Sequence, residues 1–146
     1  MNHPLKIALA SWAPFIGEAE LAVERLALGL KEAGHVVFLI VGTKGEALER
    51  FEAAGIRCLV VEQRFTDKKT WLKYRRSRNR VRDILLNEQP DLVHSNDLPT
   101  HQMISDAVLC LQKKSICHHR WFFGQAEIDW INKYDDDHKL LVSDAL

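Results

Sequence analysis

Apolar residues in this chain come in short continuous runs, separated by stretches in which they recur every three or four positions. The runs predict β-strands at Leu5–Ala10, Val36–Val41, Arg57–Val61, Leu92–His94, Ser115–His118 and Lys139–Val142. Most are apolar on consecutive residues, as in strands covered by helices on both faces. Between the first two, Ala22, Leu26, Leu30 and Ala33 repeat at helical spacing, and Gly34 stands where a helix would be capped. A second, short helix is predicted over Glu46–Ala54, closed by Gly55, and a third over Lys69–Glu88. A fourth begins near Pro99, a residue suited to a first helical turn. Alternating strands and helices imply an α/β fold: a doubly wound, mainly parallel, Rossmann-like sheet with helices on both faces. Its chemistry is expected at the carboxyl ends of the strands.

Composition narrows the partners. At 146 residues the chain can bury one core, and residues 1–146 are expected to form a single domain. Lys plus Arg and Asp plus Glu both number 20, so no global field favours nucleic acid, and any charged partner must be met by a local patch. Cys58, Cys110 and Cys117 lie in apolar surroundings without a CxxC pair. They read as buried free thiols of a reducing cytoplasm, not as a disulfide framework or a zinc site. The opening "MNHPLKIALASWAPF" lacks the basic start and cleavage pattern of a secretory signal, and no run approaches the ~20 apolar residues of a membrane span. A cytoplasmic protein is expected. The ending "HKLLVSDAL" finishes a strand and then offers Ser143 or Asp144 as the N-cap of a following helix, as in the front portion of a longer protein.

The first strand leads into "SWAPFIGEAE", where Gly17 is the one glycine. A dinucleotide site needs G-x-G-x-x-G here and an acid at the end of the second strand; this chain has "VGTK" at that second position. Nicotinamide and flavin cofactors are therefore not expected, and the P-loop pattern is absent too. Gly17 is either a turn residue or a contact through which a helix N-terminus meets an anion.

The ordered set "GEAELAVERLALGLKEAGHVVFLIVG", "PDLVHSNDLPTH", "SICHHRWFFG" and "KLLVSDAL" resembles the N-terminal domain of family-four glycosyltransferases of the GT-B fold. Those enzymes typically carry a glycine-rich loop before the first helix, a "GH.V" turn, a "PD.VH" strand, a strand ending in His and a "VS" strand. The resemblance implies retaining glycosyl transfer from a nucleotide sugar to a carbohydrate or lipid-linked acceptor, in envelope or polysaccharide synthesis. It implies no cofactor and no metal. This chain would be the acceptor-binding half, with the donor-binding C-terminal domain absent from it. The family usually has two adjacent glycines in the loop; here Glu18 takes the second place, where its carboxylate would compete with a donor phosphate for Gly17 and the helix N-terminus.

By the same resemblance, His118 aligns with the histidine that lies close to sugar and acceptor, although a one-residue slip would select His119. A neutral imidazole there can orient a hydroxyl or assist its attack. Arg120 can grip an acceptor phosphate or carboxylate, or pair with a nearby acid. His94 ends the fourth strand and should face the cleft as a lining or structural group. Asn96 and Asp97 follow it on the acceptor side, and helix capping accounts for one of them. Asp135–His138, "DDDH", reads as a solvated loop ahead of a strand and not as a metal-binding motif.

Eight basic residues fall between Lys68 and Arg82. On a helix, Trp71, Tyr74, Val81 and Leu85 would form the packed stripe, interrupted by Arg78. The face carrying Lys68, Lys69, Lys73, Arg75, Arg76 and Arg78 is either simply solvated or a peripheral contact with an anionic inner-membrane surface. Two other classes fit the same pattern: a non-catalytic α/β module for a small ligand, and half of a GT-B sugar-nucleotide epimerase.

Overall fold

The apolar runs pair side by side and all point one way. The computed structural model describes residues 3–12, 14–62, 69–120 and 138–141, together with residues 125 and 129. Its strands are β1 (Lys6–Ser11), β2 (Val36–Val41), β3 (Arg57–Val60), β4 (Leu92–Ser95), β5 (Lys114–His119) and β6 (His138–Leu141). They form one parallel sheet in the order β3-β2-β1-β4-β5-β6. The helices are α1 (Glu18–Glu32), α2 (Glu46–Ala53), α3 (Trp71–Glu88) and α4 (Leu98–Leu111). The expected doubly wound architecture is therefore present, with no strand limit moved by more than one residue. Val142 and the segment holding Ser143 and Asp144 lie outside the described residues.

Two short motifs at the amino edge of the sheet fix its register. The Leu5 N–H donates to His35 Nδ1 at 3.1 Å and the Val36 N–H donates to the Leu5 carbonyl at 2.9 Å, which sets Lys6 opposite Val36. On the other side of β1, the Lys6 N–H donates to Asp91 Oδ2 and the Asp91 N–H donates to the Lys6 carbonyl, both at 2.8 Å. Leu9 then lies opposite His94.

Alternation along the strands divides the core in two. Ile7, Leu9, Val37, Leu39 and Val41 pack with Val23 and Ala27 of α1 and Ala47, Leu48 and Phe51 of α2. Ala8, Ala10, Phe38, Ile40 and Val93 face the other way, against Tyr74, Val81 and Leu85 of α3 and Ile104, Ala107 and Val108 of α4. Each fully buried large side chain stabilises the fold by about 1.5–3 kcal/mol relative to exposure, and both faces of β1 and β2 collect such groups.

Helix ends follow local chemistry. Gly34 and Gly55 adopt φ of +90° and +71° after α1 and α2, a left-handed turn that glycine takes without steric cost. Gln89 and Gln112 do the same after α3 and α4 at φ 47° and 51°. The buried stripe of α3 is Tyr74, Ser77, Val81 and Leu85, so Trp71 does not belong to it and is 46% exposed. Arg78 leaves the stripe for a carboxylate: its Nη1 lies 3.7 Å from Asp106 Oδ2, which also accepts from the Tyr74 hydroxyl. The cysteines are free, but only Cys117 is fully buried; Cys110 is exposed, because it falls on the outer face of α4. Burial raises the Cys58 thiol to about 11, with a smaller push from Glu52.

Glu88, in the last turn of α3, clamps the starts of two strands. It accepts from Arg57 at 2.9 and 2.6 Å, and Lys6 Nζ lies 2.8 Å from it. Hydrogen bonds from Arg57, then from Lys6, hold the Glu88 carboxyl down at about 2. An unfolded glutamate titrates near ~4.3, so this stabilisation is complete above roughly pH 4.5 and drains away as pH falls towards 2. Glu88→Gln should therefore lower the melting temperature at neutral pH, with the gap to the parent chain closing across that acid range. Thermal denaturation as a function of pH checks this, and a gap that is constant across the range would exclude the clamp.

Candidate functional site at the carboxyl edge

The chain leaves β1 towards β2 on one side and enters β4 on the other, so the β1/β4 boundary is the topological switch point of the sheet. Every polar residue discussed here sits at the carboxyl edge around that boundary.

Register brings the histidines together. His94 lies opposite Leu9 on one side and Ile116 on the other, and His118, two residues beyond Ile116, emerges on the same face. The rings of His94 and His118 stack with centroids 6.0 Å apart and an interplanar angle of 18°. His94 is buried, and its Nε2 has no hydrogen-bond partner among the described residues. Burial, then the His118 and Arg120 charges, push its pKa down to about 4. At neutral pH it is an uncharged imidazole, with one ring nitrogen able to accept a hydrogen bond. Ser11 shares this face, diagonal to His94; its Oγ is likewise buried without a partner among the described residues.

Arg120 follows β5 and ties three elements. Its Nε donates to the Asn96 carbonyl at 3.1 Å and to Asn96 Oδ1 at 2.8 Å, while Asn96 Nδ2 donates to the Ala19 carbonyl of α1 at 3.2 Å. Asp97 is the N-cap of α4 and accepts from the Thr100 N–H at 2.8 Å. Capping thus accounts for Asp97, and Asn96 has a different task. Burial raises the Asp97 carboxyl, against hydrogen bonds from Thr100 and the Trp12 backbone and the Arg120 charge. Burial lowers Arg120, against the charges of Asp97 and Glu20. The guanidinium is therefore a half-buried cation flanked by two carboxylates.

The α1 N-terminus is occupied from within. The Gly17 N–H donates to Glu20 Oε2 at 3.1 Å, and Glu20 is buried. Gly17 has extended backbone, φ −126° and ψ −174°, so a turn does not require it; a Cβ there would meet Glu20 Oε2 at 3.1 Å. Glu18 points to solvent. The competition for the helix N-terminus foreseen for Glu18 comes instead from Glu20. The sequence carried a signal for it: an acid three residues after an N-cap is the spacing of a capping box.

The structure thus gathers His94, Asn96, Asp97, His118, Arg120 and Gly17 at one edge, adds Glu20 and Ser11, and turns Glu18 away. His119 contributes its backbone to β5, and its side chain lies outside the described residues, as do Asp135–Asp137. Among the described residues no group of three or more His, Cys, Asp or Glu could hold a metal ion.

A Rossmann-like sheet with a polar carboxyl edge at its switch point is the architecture of one half of a GT-B enzyme. The sequence model of Glycosyltransferase Family 4 matches residues 19–136, most of the chain, and the chain belongs to that family. No protein with a curated description matches it. Among solved structures it is similar to a glycosyltransferase from Rickettsia africae ESF-5, at 14% identity over 97% of this chain and 43% of that one, with a TM-score of 0.74. It is also similar to MurG of Acinetobacter baumannii, at 11% identity over 94% and 45%, TM-score 0.71. A third is HepE of Anabaena in complex with UDP and glucose, at 17% identity over 78% and 29%, TM-score 0.63. At such identities the likeness is one of fold. The chain spans less than half the length of each of the three.

The electrostatics of His94 give a measurable consequence. Its folded pKa is below the ordinary value of 6.5, so it costs no stability above that pH; as pH falls from 6.5 towards 4 the unfolded chain takes up the proton first and stability is lost. The full loss would be roughly 3 kcal/mol. Urea unfolding of His94→Gln should show a flatter dependence over this range than the parent chain, and an unchanged slope would mean that His94 titrates normally.

Proposed function

We propose that this chain is the acceptor-binding half of a retaining glycosyltransferase, which moves a sugar from a nucleotide sugar to a hydroxyl of a carbohydrate or lipid-linked acceptor. One observation carries the reading: the stacked pair His94/His118, uncharged at His94, stands beside the Arg120 cation at the switch point of a family-four fold. In the transfer, the acceptor oxygen bonds to the anomeric carbon, the bond from that carbon to the diphosphate breaks, and the nucleoside diphosphate leaves with the electron pair and takes up the proton of the acceptor hydroxyl. His118 orients the attacking hydroxyl and His94 fixes the His118 ring by stacking. Arg120 supplies the countercharge for a phosphate or carboxylate on the acceptor. The donor would be held by a second domain that completes the cleft, and this half alone should turn over almost nothing.

The test uses the product of the whole reading frame that contains these residues. Nucleotide sugars are incubated with candidate acceptors, the product is separated, and the configuration at its anomeric carbon is read by NMR. Transfer with retention is expected, and His118→Ala should lower kcat by about 100-fold or more, with a smaller effect of His119→Ala. Epimerisation of the nucleotide sugar without an acceptor would replace the reading with a sugar-nucleotide epimerase. Ligand binding without turnover would replace it with a binding module.

A further inference from the structure

The connection from β1 to α1 lies at the switch point of the sheet, and it holds two aromatic side chains in the open. Trp12 is 46% exposed and Phe15 is 64% exposed. The backbone that carries them is anchored. The peptide group between Ser11 and Trp12 is bound at both ends: its carbonyl accepts from the Gly42 N–H at 2.9 Å, and its N–H donates to the Asp97 carboxylate. The Pro14 carbonyl packs on Gly45 so closely that a Cβ there would lie 2.9 Å from it, which braces the loop against the start of α2. The Phe15 ring rests against Gly17, where a Cβ would lie 3.6 Å from Phe15 Cε2. Gly17 has extended backbone that any residue adopts, so what its missing side chain leaves room for is the Phe15 ring and Glu20.

Two large rings held away from the core by an anchored loop stabilise little within the chain and are available to cover a ligand. The polar atoms at the same edge indicate the chemistry of that ligand. Ser11 Oγ, one residue before Trp12, and His94 Nε2 are buried without a hydrogen-bond partner among the described residues. Arg120 stands beside Asp97, the residue that holds the Trp12 N–H. An alkyl chain would cover the rings and leave these polar groups as they are. A phosphate would meet Arg120 and leave the rings uncovered. A pyranose suits both: its axial C–H bonds carry partial positive charge and lie against the electron-rich face of an aromatic ring, while its hydroxyls project from the rim as donors and acceptors.

We propose that Trp12 and Phe15 are a stacking platform for a sugar ring of the acceptor, so that the acceptor is a carbohydrate or a glycolipid and not a lipid phosphate without sugar. That the bound ring belongs to an acceptor rests on the transfer reading above; binding of the ring itself does not. The platform begins one residue after Ser11, which is diagonal to His94, so a ring seated on it presents its rim towards the histidine pair.

The experiment is saturation-transfer difference NMR on this chain. The probes are methyl β-D-glucopyranoside, methyl β-D-galactopyranoside and methyl N-acetyl-β-D-glucosaminide at millimolar concentration, with cyclohexanol as the apolar control. The expected result is saturation of at least one glycoside, strongest at the axial protons of one ring face and weaker for cyclohexanol. Trp12→Ala and Phe15→Ala should each reduce it by about fivefold or more, and Trp12→Phe should retain it. Both side chains are exposed, and circular dichroism and urea midpoints matching the parent chain would verify that the fold is intact. In the transfer assay on the product of the whole reading frame, the two alanine variants should raise KM for the acceptor by about tenfold and leave KM for the nucleotide sugar as it is. No saturation of any of the three glycosides, saturation that survives both alanine variants, or equal saturation of cyclohexanol with the same dependence on Trp12 would each overturn the platform. Trp12-dependent saturation without transfer would overturn the transfer reading alone and leave a sugar-binding module. Transfer with an acceptor KM indifferent to Trp12 and Phe15 would overturn the platform alone.

Discussion

The site at one end of the sheet depends on hydrogen bonds at the other end. Asp91 exchanges two bonds with Lys6, one from its backbone and one to its carboxylate, and this places Leu9 opposite His94. A slip of one residue between β1 and β4 would send His94 to the face covered by α3 and α4 and bring Ser95 to the other. The stacked histidines, the Arg120 contact with Asn96 and the cap of α4 all follow from that single alignment. On the opposite side of β1, His35 accepts from Leu5 and performs the same service for β2. The short motifs "GH" and "PD" are thus register devices, and their value to the chemistry is indirect.

Charge at the carboxyl edge is arranged in advance of any ligand. Arg120 is shared between the carbonyl and side-chain oxygens of Asn96, with Asp97 and Glu20 opposing its burial. Asn96 in turn holds Ala19, so α1, the β4–α4 turn and the end of β5 are tied to one another. Glu20 gives the α1 N-terminus the anion that its dipole favours. An incoming phosphate directed at Gly17 must therefore displace a buried carboxylate, whereas one directed at Arg120 meets a cation whose partners are already set. Polar groups held in this way lose little on reorganisation when charge develops nearby.

Much of this was legible in the chain. Six strands and the four described helices appear where continuous apolar runs and helical spacing place them, since burial on both faces leaves a direct mark on composition. The polar edge was legible too, because strand ends are fixed by the same runs. What the sequence concealed were contacts between segments distant along it. Arg78 looked like an intruder in an apolar stripe until α4 supplied Asp106, and Ser77 took the buried position beside it. Helical spacing puts Trp71 in line with Tyr74, Val81 and Leu85, but it is the first residue of α3 and lies outside the buried stripe. Cys110 has apolar neighbours in sequence, but Val108 turns inward while Leu109 and Cys110 face solvent. Glu20 has the spacing of a capping box, three residues after Gly17, but the fold is what shows it turning inward while Glu18 faces solvent.

The two ends of the sheet differ in how completely their polar groups are satisfied, and that difference separates structure from function. At the amino edge, Glu88 meets Arg57 and Lys6, Asp91 meets Lys6, and Lys31 donates to the Gly55 carbonyl at 2.7 Å. At the carboxyl edge, Ser11 Oγ, His94 Nε2 and Ser95 Oγ are buried without a hydrogen-bond partner among the described residues. Leaving such an atom unmatched costs about 1–3 kcal/mol, and an apolar residue of similar shape at each position would avoid that cost. A fold that satisfies one edge so thoroughly has no general difficulty in pairing its polar groups. The unmatched atoms gather where β1 and β4 end, beside the histidine pair, and it is there that hydrogen bonds from outside the protein have the most to stabilise.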